Sequence, residues 1–512
     1  MTHDEAFLEA IREHPDDDAP RLIYADWLEE HGQPERAEFI RVQCERARLP
    51  EGSPRWFELL AREDSLSVKY LWDWAGPLMN SLSCSWTSER GFVEYVECDA
   101  SCFLERGEEL FRCAPIRKAC LNQAAGWIRK LADSPMLDNL ESIRLADVNS
   151  AEALQTFGFS PHLRRLTTLS LKHNFIRSEG VAALRQTPLF RQLRSLDLSD
   201  NFLGATGIEY LVDTLDHLRL TELNLDTNNL GSAGLQALSS ARSFYRGLRR
   251  LSVSNNEVSA PGIRALAHAG GNLAELHIGC NPLGNDGIRE LAQSSAFADL
   301  TILDLERSRL GSDSAAALAQ SSYLNRLTDL NLAGNHIRTK GAIALASSTG
   351  LARIHVLKLS ANEIGDDGAK ALANSPHLAN LRALYLGANG LRSWGVRDLV
   401  MSPHLSNLHT LDLHGNKLRD EGAQVIARWS RLARLTTLLL RNNHIGDVGA
   451  KELATSANLP SLRELDLSNN DMTTDGLALL QASQLQERLV SLNLGDNDIL
   501  QVAGHHPSSD SG

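Results

Sequence analysis

From Leu166 onward the apolar and polar positions repeat as one phrase, L-x-x-L-x-L-x-x-N-x-[LI]-x-x-x-G, thirteen times over. The phrase starts at Leu166, Leu193, Leu220, Leu248, Leu273, Leu300, Leu327, Ile354, Leu381, Leu408, Leu435, Leu462 and Leu489. Ten of the twelve steps are 27 residues; the others are 28 and 25. A period of this size predicts a stack of like units, each burying its apolar face against the next.

The unit from Ile354, IHVLKLSANEIGDDGAKALANSPHLAN, shows how one coil is expected to form. Val356 to Leu359 alternates like a short, half-buried strand. Leu357 and Leu359 are predicted inward, and Val356, Lys358 and Ser360 outward. Asn362 follows the strand. An amide both donates and accepts, so it can serve backbone groups where the chain turns inside a stack. The same column holds Asn174, Asn201, Asn228, Asn256, Asn281, Asn335, Asn389, Asn416, Asn443, Asn470 and Asn497. Ser308 interrupts it, and a shorter hydroxyl with fewer donors predicts a weaker turn there.

Six residues past most of these asparagines stands a glycine, replaced by Ser314 in the same irregular unit. An acid or hydroxyl often precedes it, as at Asp366 and Asp367, and reads as the N-cap of a helix. Apolar residues one and four past the glycine, such as Ile208 with Leu211, share a helix face. The SPHL at Ser160, Ser375 and Ser402 ends the helix, because proline cannot extend it.

Each unit is thus expected to be strand, turn, helix, turn, an α/β solenoid with all strands parallel. Strands stack about 4.8 Å apart and helices about 8–10 Å apart. That mismatch predicts a horseshoe with strands on the concave face and helices on the convex face. LRSLDLSDNFLGATGIEYL at Leu193 and LRELDLSNNDMTTDGLALL at Leu462 resemble the leucine-rich repeat family, in its long, ribonuclease-inhibitor-like form. The resemblance spans residues 140–499. The cysteine column of ribonuclease inhibitors is mostly asparagine here, which removes any reason to expect a ribonuclease as target.

The array is assigned to residues 116–499 and a cap to residues 51–115. In the cap, GFVEYVECDA reads as a strand and FLERGEELF as a helix. Trp56, Trp72, Trp74 and Trp86 are expected to supply its apolar bulk. The last unit stops at LNLGDNDIL without its helical half. Its open strand edge must be met by a partner, by self-association with another copy, or by fraying. Residues 500–512, with His505 and His506, are too polar to fold alone and read as a disordered tail.

Residues 1–50 read as a small all-helical domain. Phe7, Leu8 and Ile11 share a face; Leu22, Ile23, Trp27 and Leu28 form the next stripe; Phe39, Ile40 and Val42 the third. Asp16 to Asp18 are expected to cap the second helix, with Asp16, Asp17, Asp18 and Asp26 solvated rather than ligating a cation. The wording DDDAPRLIYADWLEE, HG and PERAEFIRVQ resembles the bacterial repeat-companion domain. That resemblance covers residues 2–50; it implies a bacterial origin and no activity.

A net charge of -13 and a pI near 5.7 argue against nucleic acid and are compatible with a basic partner. The N-terminus has no apolar signal core and no run is long enough to cross a membrane, so a cytoplasmic location is expected. The seven cysteines are odd in number and without a C-x-x-C pair, which predicts reduced thiols. Cys98, Cys102 and Cys113 lack a paired-histidine partner motif, so no metal is expected. No phosphate loop, zinc-protease motif or nucleophile elbow is found, so neither a cofactor nor an enzymatic activity is expected.

The strand register places Asp197, Asn224, Ser252, His277, Asp304, Asn331, Lys358, Tyr385, Asp412, Leu439, Asp466 and Asn493 at central outward positions. Asp226, Glu306, Arg307, His414 and Arg441 flank them. The row is polar and rather acidic, with few of the Trp, Tyr and Arg that dominate protein hot spots. Two functions follow. In one, the array binds a protein or peptide on its concave face, through Asp197, Asp226, His277, Asp304, Glu306, Arg307, Lys358, Tyr385, Asp412, His414, Arg441 and Asp466. In the other, the array is structural and the N-terminal helices recognise the partner. A GTPase-regulator role rests on fold analogy alone.

Overall fold

The computed structural model describes residues 3–49, 54–81, 84–212, 219–429 and 431–497. The polar tail with His505 and His506 lies outside the described residues. The chain divides into two compact units: Met1–Arg309 with Ser321–Leu327, and Leu310–Gln320 with Thr328–Gly512. The division falls between Arg309 and Leu310, one residue past the Ser308 interruption of the asparagine column.

The first unit opens with helices α1 (His3–Glu13), α2 (Ala19–Glu30), α3 (Pro34–Ala47) and α4 (Pro54–Ser81). Leu8, Ile11, Tyr24, Ala25, Leu28, Ile40 and Cys44 form one core with Phe92. Tyr24 occupies the place expected of Ile23, which is 59% exposed. Trp72 is 62% exposed, so it is not core bulk either.

Next come β1 (Ser85–Glu89) and β2 (Phe92–Asp99), an antiparallel hairpin, so the strands are not all parallel. Gly91 sits in its turn at φ 93°. A side chain there would overlap Ile40 of α3, so the bare glycine lets that helix lie on the hairpin. Helix α5 (Ala100–Cys113) follows, and β2 then pairs in parallel with β3 (Lys118–Asn122).

From there the strands β4 (Ser142–Leu145), β5 (Thr168–Ser170), β6 (Ser195–Asp197), β7 (Glu222–Asn224), β8 (Arg250–Ser252), β9 (Glu275–His277) and β10 (Ile302–Asp304) stack in order, all parallel. In the second unit β11 (Asp329–Asn331), β12 (Val356–Lys358), β13 (Ala383–Tyr385), β14 (Thr410–Asp412), β15 (Thr437–Leu439), β16 (Glu464–Asp466) and β17 (Ser491–Asn493) do the same. Within each unit the central leucines pair strand to strand, as Leu196 with Leu223 and Leu384 with Leu411. These leucines, with Ile208, Leu211 and their equivalents, are buried, except in the last coils, where Leu477 and Leu492 are partly exposed. In neither unit do the described strands close into a barrel.

Side chains tie each coil to its neighbour at three heights. Asn201 Oδ1 accepts from the backbone N–H of Asn174 (3.0 Å) and Ile176 (3.3 Å), while its Nδ2 donates to the carbonyls of Leu171 (2.8 Å) and Leu198 (3.0 Å). The pattern recurs at Asn228, Asn256 and Asn281, and again at Asn362, Asn389 and Asn470. Asn443 departs from it: its Oδ1 is buried without a hydrogen-bond partner.

At the helix starts, Asp366 Oδ1 accepts from the N–H groups of Arg392 (2.8 Å) and Gly395 (3.2 Å). Asp420 does the same for Gly446 (2.8 Å) and Gly449 (2.9 Å). These acids therefore cap the helix of the following coil, not their own. At the helix ends, Ser375 Oγ donates to the Ala346 carbonyl one coil back (2.5 Å), and Ser402 to Ala373 (2.5 Å).

The N-terminal acids also differ from expectation. Asp17 Oδ1 accepts from the Ala19 N–H (2.9 Å), but Asp18 pairs with Arg48 (2.7 Å), Asp16 with Arg117 (3.0 Å) and Asp26 with Arg41 (2.6 Å). The Arg117 bond holds the Asp16 carboxyl below the usual carboxylate range. Arg21 on α2 bonds Glu94 on β2, and both side chains are fully buried. Arg117 completes the group, its Nε donating to Glu94 Oε2 at 2.7 Å.

Candidate functional site

In the first unit, strand register aligns Ser170, Asp197, Asn224, Ser252, His277 and Asp304 across six strands. Asp226 and Glu306 lie two residues past their strands' central outward positions. The carboxylates of Asp304, Glu275 and Asp226 act on one imidazole. His277 Nδ1 is 3.9 Å from Asp304 Oδ2, and Nε2 is 3.8 Å from Glu275 Oε2. Bonding to Asp304, with the charges of Asp304, Glu275 and Asp226, raises the His277 pKa against a lowering by burial.

Asp226 is held from behind. Its Oδ1 accepts from Ser252 Oγ (2.6 Å) and the Ser254 N–H (2.6 Å). Burial raises its pKa most, those two bonds and His277 oppose the rise, and Asp197 adds to it. Asp304 Oδ1 accepts from the Glu306 N–H (2.9 Å), which fixes the carboxylate beside its strand. Arg307 is exposed, at φ 49°, with its Nε 3.5 Å from Glu306. Glu275 was not among the sequence candidates, and Arg250 pairs with it at 2.6 Å. Its signal was the other outward position of the strand, two residues before His277.

The second unit carries Asn331, Lys358, Tyr385, Asp412, Leu439, Asp466 and Asn493 in one register row. Lys358 Nζ lies over the Tyr385 ring, 5.6 Å from its centre, a cation–π contact. Asp412 is only 5% exposed, so it does not present its carboxylate to a partner. His414 covers it: Nδ1 is 2.8 Å from Oδ1, and the His414 N–H donates to the same oxygen at 2.9 Å. The Asp412 bond raises the His414 pKa, burial and Arg441 lower it, and Asp466 raises it further. Gly387 makes the space, since any side chain there would overlap the His414 ring. Asp466 Oδ1 accepts from Ser468 Oγ (2.6 Å) and N–H (2.9 Å), and Arg441 is exposed.

Six of the candidates thus lie on the sheet face of the first unit: Asp197, Asp226, His277, Asp304, Glu306 and Arg307. Lys358, Tyr385, Asp412, His414, Arg441 and Asp466 lie on that of the second. Among the described residues no group of three or more His, Cys, Asp or Glu is placed to hold a metal ion. No described helix is long and apolar enough to cross a membrane.

The Leucine Rich repeat model matches residues 162–184, 191–212, 220–239, 248–267, 272–292, 324–346, 354–373 and 404–427. A two-copy Leucine Rich repeats model matches 433–479. No curated protein matches the chain. Among solved structures, it is similar to one in the TLR13–ssRNA13 complex, at 20% identity over 75% of this chain and 57% of that one, with a TM-score of 0.47. A chain of the yeast Rad7–Elc1 complex is similar at 16% identity, over 67% of this chain and 83% of that one, with a TM-score of 0.45. An internalin from Listeria monocytogenes is similar at 20% identity, over 73% and 95%, with a TM-score of 0.38. At these scores the three likenesses add nothing to what the repeats themselves establish. Leucine-rich repeats build the array, and its fold is the open parallel solenoid of strands and helices that such repeats make.

Proposed function

We propose that the protein is a non-enzymatic binding scaffold whose first-unit sheet face takes a basic, extended segment of a partner protein. One observation carries the reading: on one sheet face Asp226, Glu275 and Asp304 act on His277, Asp197 acts on Asp226 and Glu306 follows Asp304, while Arg250 and Arg307 pair with Glu275 and Glu306. Carboxylates held in place by backbone and serine donors meet a lysine or arginine without reorganising, which favours binding. The net charge of -13 steers the same kind of partner. The 27-residue step supports the long, ribonuclease-inhibitor-like type of repeat, and the wording from Asp16 to Gln43 a repeat-companion domain. Recognition by the N-terminal helices is less favoured, because Arg21 and Asp16 are already engaged with Glu94 and Arg117.

The test is fluorescence anisotropy with a labelled arginine- and lysine-rich peptide. The isosteric triple change Asp197→Asn, Asp304→Asn and Glu306→Gln is expected to weaken binding about tenfold or more, roughly 1.4 kcal/mol. The loss should shrink as salt rises. Unchanged affinity at low salt, in a folded variant, would remove the sheet face from the proposal.

A further inference from the structure

Three thiols meet where the chain enters the sheet. Cys84 leads into β1, Cys98 lies on β2 and Cys102 lies in the first turn of α5. The Sγ atoms of Cys84 and Cys102 are 3.8 Å apart, although 18 positions separate them in sequence. Cys98 is buried; Cys84 and Cys102 are half-exposed. A small reagent therefore reaches the pair while Cys98 stays covered. Two of the remaining four cysteines, Cys113 and Cys280, are exposed and serve as internal controls.

We propose that Cys84 and Cys102 form a reversible disulfide, driven by a small-molecule disulfide such as oxidised glutathione, which pins the start of β1 to α5. A disulfide needs its sulfurs about 2.05 Å apart. Closing the gap takes less than about 2 Å of travel, within reach of a rotamer change at two side chains near the surface. In the first step the thiolate of one cysteine attacks the glutathione disulfide. A protein–glutathione bond forms, the glutathione S–S bond breaks, and one glutathione thiolate leaves. In the second step the other cysteine attacks the protein sulfur of that mixed disulfide and expels the second glutathione. The protein gives up two electrons and two protons; the oxidant becomes two glutathione thiols.

The surroundings favour the bond at equilibrium and slow its formation. Burial, then the neighbouring Cys102 and Asp99, push the Cys84 thiol up to about 12. Among the described residues only the Cys98 thiol opposes that rise and no cation is named beside it, so little thiolate stabilisation resists oxidation, while the scarcity of thiolate slows attack. Proximity supplies the second advantage, because the closing thiol is present at a far higher effective concentration than free glutathione.

The test uses the full chain in glutathione redox buffers, quenched with acid and alkylated. Trypsin with cleavage at Asp99 separates Cys98 from Cys102 for mass spectrometry. The expected result is a Cys84–Cys102 cross-link and the loss of two of the seven free thiols, reversed by dithiothreitol. In the same buffer Cys113 and Cys280 should be glutathionylated to about a tenth of that extent. Cys98→Ser should keep the cross-link and Cys84→Ser should lose it. Recovery of Cys84 and Cys102 only as mixed disulfides, or a link through Cys98 instead, would overturn the proposal.

Discussion

Asn228 shows what a single amide does in this fold. Its Oδ1 accepts from the N–H groups of Asn201 (3.0 Å) and Leu203 (3.3 Å), and its Nδ2 donates to Leu198 (2.8 Å) and Leu225 (3.0 Å). Asn228→Ala would strand two buried N–H groups, each costing about 1–3 kcal/mol. A loss of roughly 3 kcal/mol in urea unfolding is expected. His414 makes a different prediction. Its folded pKa is raised, chiefly by Asp412, above the ordinary 6.5. The stability it contributes is therefore complete below pH 6.5 and lost as pH rises through the folded value. Asp412→Asn should return the imidazole toward 6.5 in an NMR titration and flatten that dependence. The asparagine column was legible because its spacing is regular. The Asp412–His414 pair was not, because its geometry depends on Gly387 of the neighbouring coil.

Three helices of the second unit start on an aspartate from the preceding coil: Asp366, Asp420 and Asp447. Asp366→Ala should cost about 1 kcal/mol, as N-cap removals do. Hydrogen exchange would show it as faster exchange at the Arg392 and Gly395 amides, not at the amides beside residue 366. Gly395 belongs to the same device: a Cβ there would lie 2.5 Å from Asp366 Oδ1 and 3.1 Å from its Cα. The aspartate–glycine pattern predicted caps but not whose helix they cap. Hydrogen-bond direction between stacked coils depends on their offset, which one coil's sequence does not contain. The same holds for Ser375 and Ser402, which the sequence marks as helix ends and the stack uses as ties.

Across the molecule, the N-terminal helices are fastened to the array through buried charge. Arg21, Glu94 and Arg117 come from α2, β2 and the approach to β3. Removing one partner of such a group leaves the other charge buried and poorly compensated, at a cost of roughly 3 kcal/mol or more. Arg21→Ala is expected to release α1–α3 to limited proteolysis. Residues 328–497 should unfold as before, because a repeat array couples only nearest neighbours. Protection of the N-terminal helices unchanged in that variant would show that their apolar core suffices.

The sequence alone determined the coil: its length, its inward leucines, its asparagine turn and its polar outward row. Those features repeat, and repetition makes a local pattern readable without knowledge of contacts. Only the tertiary structure decided what lies between coils and between segments. It capped helices from the preceding coil, buried Asp412 under His414, set Glu275 beside His277, brought Cys84 to Cys102 and closed Arg21 on Glu94. Each of these joins groups by packing across distant positions, where no periodic spacing in the chain records the meeting.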